Sequence, residues 1–107
     1  MSIRIANRLH TVAVDQAAAG YLQIAAPKTG RVPRVVSYNL VGAGASVVFQ
    51  ADDGDTQTDL TGAVDPGALA GTVEAPLVQG TAEQGLGILT TGAAVTGWVT
   101  FTQESSW

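Results

Sequence analysis

Residues 95–103 read Val-Thr-Gly-Trp-Val-Thr-Phe-Thr-Gln, and their alternation decides the fold class. Val95, Gly97, Val99 and Phe101 fall on one side of an extended chain, and Thr96, Trp98, Thr100 and Thr102 on the other. A period of two is the pleat of a β-strand, because successive side chains leave a strand on opposite faces. One side is apolar and the other is rich in threonine, the pattern of a strand with one face in a core. If the valine and phenylalanine side makes the core, Trp98 points away from it.

The same period recurs upstream, between clusters of turn residues. Residues 9–14 form a first strand with Val12 and Val14 on one face. After Gly20, Tyr21 and Gln23 alternate with Leu22 and Ile24. Pro27-Lys28-Thr29-Gly30 is a turn, and residues 31–41 are the longest strand. There Val36, Tyr38 and Leu40 share one face and Val35, Ser37, Asn39 and Val41 the other. Pro33 cannot donate to a ladder, so the start of that strand is expected at a sheet edge. Residues 46–50 and 56–60 are strands joined through Asp52-Asp53-Gly54-Asp55, a hairpin loop. Residues 61–71 (TGAVDPGALAG) read as a long connection with room for one helical turn. Residues 72–79 and 86–91 complete the set. Seven or eight short strands at intervals of about ten residues predict an all-β, single-domain β-sandwich of jelly-roll or Greek-key type. The local helix bias of residues 17–19 is too short to nucleate a helix. Residues 1–8 have no turn signal and are expected to be an extended N-terminal arm, leaving residues 9–107 as the sandwich domain.

Composition narrows the possible functions. With 107 residues the chain is one domain, able to bury roughly two-thirds of its unfolded surface. It has no cysteine, which removes disulfides and thiolate metal sites. No apolar run reaches the roughly 20 residues of a membrane helix, and the N-terminus lacks a signal peptide's apolar core. Charged residues make up 13%, about half the usual share, while Ala, Gly, Val and Thr abound. Such a surface is poorly protected unless neighbouring subunits cover part of it. All five basic residues (Arg4, Arg8, Lys28, Arg31, Arg34) lie in the first 34 positions, with Asp15 the one acid among them. Eight of the nine acids lie beyond residue 50. The net charge of −4 argues against nucleic acid and anionic membrane as partners. A chain so polarised is laid out for binding and has nothing that resembles a catalytic arrangement.

A series of motifs adds to this. Val35-Val36-Ser37-Tyr38 is followed by Val47-Val48-Phe49 and Leu60-Thr61-Gly62. Then come Thr81-Ala82-Glu83-Gln84-Gly85-Leu86-Gly87-Ile88 and Thr91-Gly92-Ala93-Ala94-Val95-Thr96-Gly97-Trp98-Val99-Thr100-Phe101. Over most of residues 31–103 this resembles the small β-sandwich decoration or cement (head auxiliary) proteins of tailed bacteriophages. The resemblance implies a jelly-roll-like sandwich, commonly a homotrimer, that binds the major capsid protein between capsomers and stabilises the shell. It also implies a virion location on the capsid surface, after synthesis in the host cytoplasm; the residues themselves lead us to expect no enzyme activity and no cofactor. The alternative is a carbohydrate- or receptor-binding sandwich module of a phage fibre, although six aromatic residues offer few sugar platforms.

Within that reading Ile3, Arg4, Arg8, Lys28, Arg31 and Arg34 are the expected capsid-docking face, its basic members an electrostatic footprint on an acidic shell. The same cations also suit solvated charge and gatekeeping of an edge strand. Trp98 and Trp107 are the expected subunit-interface residues. Filling a sandwich edge remains open for Trp98, and packing back on its own fold for Trp107.

Catalytic arrangements fare poorly. His10 is the single histidine and no nucleophile-elbow motif accompanies it, so it is read as a strand-surface or interface residue. The acids sit in turns, without the aromatic cleft a glycosidase needs. The run Asp52-Asp53-Gly54-Asp55 with Asp59 lacks the spacing of a calcium loop and is read as a solvated turn. Millimolar calcium should therefore leave the melting temperature unchanged, and a rise in a thermal melt would restore the metal reading.

Overall fold

In the computed structural model, which describes residues 9–72 and 75–105, nine strands follow one another. They are β1 (Leu9–Gln16), β2 (Gly20–Ala25), β3 (Arg31–Val41), β4 (Ser46–Asp52) and β5 (Gln57–Asp59), then β6 (Ala68–Ala70), β7 (Val78–Gln79), β8 (Gly85–Thr91) and β9 (Val95–Ser105). The described residues contain no helix, hence none long and apolar enough to cross a membrane. The expected N-terminal arm lies outside the described residues.

One sheet has the order β1-β9-β3-β6, with β7 also on β3; the other has the order β2-β8-β4-β5. All pairings are antiparallel. β6 and β7 lie along one side of β3 and act as one interrupted strand, since β9 occupies the other side. The pairs are then nested: first with last, β2 with β8, β3 with β6 and β7, β4 with β5. A long hairpin with its tip at the β4–β5 turn, rolled so that successive segments alternate between sheets, gives this order. The sandwich is a jelly roll.

Alternation places the core between the sheets. From the first sheet come Val14, Val35, Tyr38, Leu40, Val95, Val99 and Phe101, and from the second Ile24, Val47, Phe49, Leu86 and Ile88. The Tyr38 and Phe49 rings meet across the layers with centroids 5.4 Å apart. Each fully buried side chain of this size contributes about 1.5–3 kcal/mol through area removed from water.

Four expectations change. The strict alternation across β3 fails at a bulge, where the register to β9 shifts between Val35 and Ser37. The extra residue turns Val35 into the core beside Tyr38 and Leu40, opposite to the face first assigned. The bulge carbonyls are not wasted, since Gly71 and Leu77 donate to Val36 and Val35 at 2.7 and 2.8 Å. Pro33 does not mark an open edge either. β3 pairs β9 along its whole length, and Pro33 is fully buried. Its other side is where the short β7 runs out, and Gly80 donates to the Pro33 carbonyl there at 2.9 Å. No ladder hydrogen is missed at that point. Finally, residues 61–71 hold no helical turn. Val64 bridges to Val47, and Ala68–Ala70 becomes β6. Of the described residues in 72–79, only Val78–Gln79 is strand, while Thr72 and Ala75 exchange backbone hydrogen bonds.

Gly97 shows how closely β9 is held. Its φ is 139°, and a Cβ there would run into the Asn39 carbonyl of β3. Gly97→Ala should therefore cost about 3 kcal/mol or more in a denaturant melt, whereas Gly62→Ala, where a Cβ meets nothing, should change little.

Candidate interaction surface

The outer face of the first sheet is a grid whose rows follow from the register. Ala13, Trp98, Asn39 and Ala68 form one row, and Thr11, Thr100, Ser37 and Ala70 the next. Asp15, Thr96 and Val41 form a third. Threonine and tryptophan suit a pleated, half-covered surface, and alanine and serine leave room around the indole. Trp98 is 40% exposed at the middle of this grid, and Thr11, Ala13, Gly97 and Thr100 line a shallow groove beside it. The Thr11 and Thr100 hydroxyls share a 3.0 Å hydrogen bond. Leu9 (54% exposed) and Val41 (65%) lie at opposite ends of the sheet. Among these grid residues only Asp15, at a corner, is charged. An aromatic residue centred in a neutral, small-residue face has the anatomy of a protein contact surface.

The expected basic docking face is not assembled by the described residues. Arg31 and Arg34 are three positions apart in β3, so the pleat sends them to opposite faces. Lys28 is exposed in the turn before β3, and its carbonyl accepts from the Arg31 amide at 3.2 Å. Acids return to the same neighbourhood. The Glu83 carboxylate accepts from Gly30 at 3.3 Å, and Glu104 lies 3.9 Å from Arg34. Such a long, partly exposed pair is worth about 0–1 kcal/mol. The charge division along the chain is thus partly undone in space, because the roll lays the last strand beside the third. Ile3, Arg4, Arg8 and Trp107 lie outside the described residues. His10 is exposed on β1, its ring stacked on Phe101 at 5.3 Å.

The acidic loop is the tip of the β4–β5 hairpin, and two of its carboxylates shape it. Asp53 accepts from the Asp55 and Thr56 amides at 2.8 and 2.7 Å, which holds its acid below the usual range. Asp52, only 3% exposed, is the hub of a polar cluster on the outer face of the second sheet. Tyr21 donates to it at 2.7 Å, Gly54 at 2.8 Å, and Gln23 and Gln57 at 3.2 and 3.4 Å. These bonds, led by that from Tyr21, lower the Asp52 pKa. Burial first, then the bond to Asp52, pushes the Tyr21 phenol up. Tyr21 reaches Asp52 by lying across Gly87 of β8, where a Cβ would collide with its ring. This cluster escaped the sequence reading. The alternation set Tyr21 and Gln23 on a common face of β2, but their partners depend on the pairing of β2, β8 and β4. Among the described residues no group of three or more His, Cys, Asp or Glu is arranged to hold a metal ion.

No protein-family model matches this chain, and no curated protein does.

Asp52 gives a signed pH effect. A carboxylate with a depressed folded pKa stabilises the fold above its unfolded value of about 3.9, and that stabilisation is lost as pH falls through the folded value. Tyr21→Phe should cost about 2 kcal/mol at pH 7, the worth of a hydrogen bond to a charged group. The gap to the unsubstituted protein should narrow in melts at increasingly acid pH. A gap that stays constant down to full protonation would remove Asp52 as the cause.

Proposed function

We propose that this chain is a structural protein of a bacteriophage particle, decorating or cementing the capsid by binding between capsomers. The observation that carries the reading is the patch of neutral, mostly small residues around the half-exposed Trp98 on the outer face of the first sheet. A jelly-roll sandwich with motifs like those of head auxiliary proteins supports it, as does a surface low in charge and rich in Ala, Gly and Thr. The mechanism needs no chemistry. Apolar area around Trp98 is removed from water against neighbours on the particle, and the site exists only where shell subunits meet. The cations of the N-terminal third, Arg4 and Arg8 in particular, add attraction to an acidic shell. On this reading the shell partner is the major capsid protein, and the protein resides on the virion surface.

The fibre-module alternative asks for several coplanar aromatic platforms. Among the described residues the outer faces of the two sheets carry one aromatic side chain each, Trp98 on the first and Tyr21 on the second, and the Tyr21 hydroxyl is engaged with Asp52. That arrangement favours the structural role.

Mixing the purified protein with empty capsids of its phage should give cosedimentation. Trp98→Ala should weaken it by roughly 30-fold, the effect of losing a contact worth about 2 kcal/mol. Arg4→Ala with Arg8→Ala should weaken it further at low salt than at high salt. No cosedimentation at any salt concentration would refute the function.

A further inference from the structure

The second sheet consists of β2, β8, β4 and β5, and none of these strands carries Lys, Arg or His. Its outer face is ordered around two carboxylates. Asp52 gathers Tyr21, Gln23 and Gln57. Asp59 holds Gln50, whose Nε2 donates to its Oδ1 at 2.7 Å. Each glutamine thus commits its amide nitrogen to a carboxylate, which leaves the amide oxygen as an acceptor.

Gln50 matters most among them. It is 7% exposed, and no described residue donates to its Oε1. Unlike the sealed amide oxygen of Gln103, that atom still reaches the surface. A nearly buried amide with one unanswered acceptor at the surface is poised for a donor from outside.

The register fixes what surrounds it. Gln50 pairs with Gly87 on one side and with Asp59 on the other. The Tyr21 phenol lies across Gly87, so ring, amide and carboxylate follow one another over three adjacent strands, about 10 Å from end to end at strand spacing. The second oxygen of Asp59 accepts from no described residue. The ring is held through its hydroxyl by the buried Asp52, so the row is set before anything binds.

We propose that this row is a binding site for an arginine side chain of a partner protein. The inference does not depend on the capsid reading, and the site lies on the other sheet from Trp98. A guanidinium presents parallel donors and no acceptor. Its fork takes the Gln50 oxygen and the Asp59 carboxylate together, and its stem lies on the Tyr21 ring. Charge selects it over a neutral polyol such as a sugar. Asp52, Asp53, Asp55 and Asp59 lie on or beside this face, and the sheet itself supplies no cation to offset them. Shape selects it over lysine, a point charge with no planar fork to bridge two acceptors.

Titration of the isolated full chain with Nα-acetyl-arginine amide, followed by heteronuclear amide spectra, should shift the Gln50 side-chain amide and the Gly87 backbone amide. Affinity on the order of millimolar is expected, because an exposed charge pair and a ring contact are each weak. The corresponding lysine compound should bind more weakly, and maltose should leave both signals in place. Asp59→Asn keeps an acceptor for Gln50 but removes the charge. It should weaken arginine binding about 5-fold at an unchanged melting temperature. Equal binding of the arginine and lysine compounds would overturn the proposal, as would shifts produced by maltose. So would an Asp59→Asn chain that binds as tightly as the original, or signals that stay in place at every arginine concentration.

Discussion

β9 has to satisfy two backbone ladders and two solvents at once, and the architecture follows from how it does so. It lies between β1 and β3, with partners running from Leu9 to Gln16 on one side and from Arg31 to Val41 on the other. Its valines and Phe101 fill one face, and its threonines and Trp98 present the other. Neither neighbour can move by one residue without exchanging those faces. Gly97 adds a steric condition, since only a residue without a Cβ lets β3 approach so closely at that point. Where β3 needs a change of phase, the bulge at Val35 and Val36 supplies it, and β9 stays regular.

Much of this was legible locally. β2, β3, β8 and β9 have clean alternation or β-rich composition between glycine and proline turns, so their positions follow from residues within the strand. What was hidden depends on distant partners. β6 is three exposed residues, and its identity as a strand comes from the free side of β3. The bulge needs knowledge of both β9 and the chain around Gly71 and Leu77. Trp98 was readable as outward-facing because its own strand settles its direction. The Asp52 cluster was not, because it joins residues from β2, β4 and the start of β5 across a third strand.

The charge pattern shows the same limit from another side. Along the sequence, cations and acids separate almost completely. A nested topology brings the ends of the chain together, so Glu83 and Glu104 return to the neighbourhood of Gly30 and Arg34. The acids that stay apart are those of the hairpin tip, the one pairing that is local. Polarity of the molecule is therefore carried by the acidic hairpin and by the neutral patch around Trp98 more than by opposed basic and acidic ends.

The nesting of strands also bears on how the chain acquires its structure. β4 and β5 are the one pair of neighbours in sequence, and each further pair encloses the last, so every step outward closes a longer loop. β1, made first, has no described strand partner until β9 has been made, while β3 meets β6 and β7 before it. Folding of such a topology is slow compared with helical domains of equal size, on the order of milliseconds to seconds. Through that interval the segment from Leu9 to Val14 is a bare, uncharged strand. A chain built this way has to complete its last strand before its first one is protected.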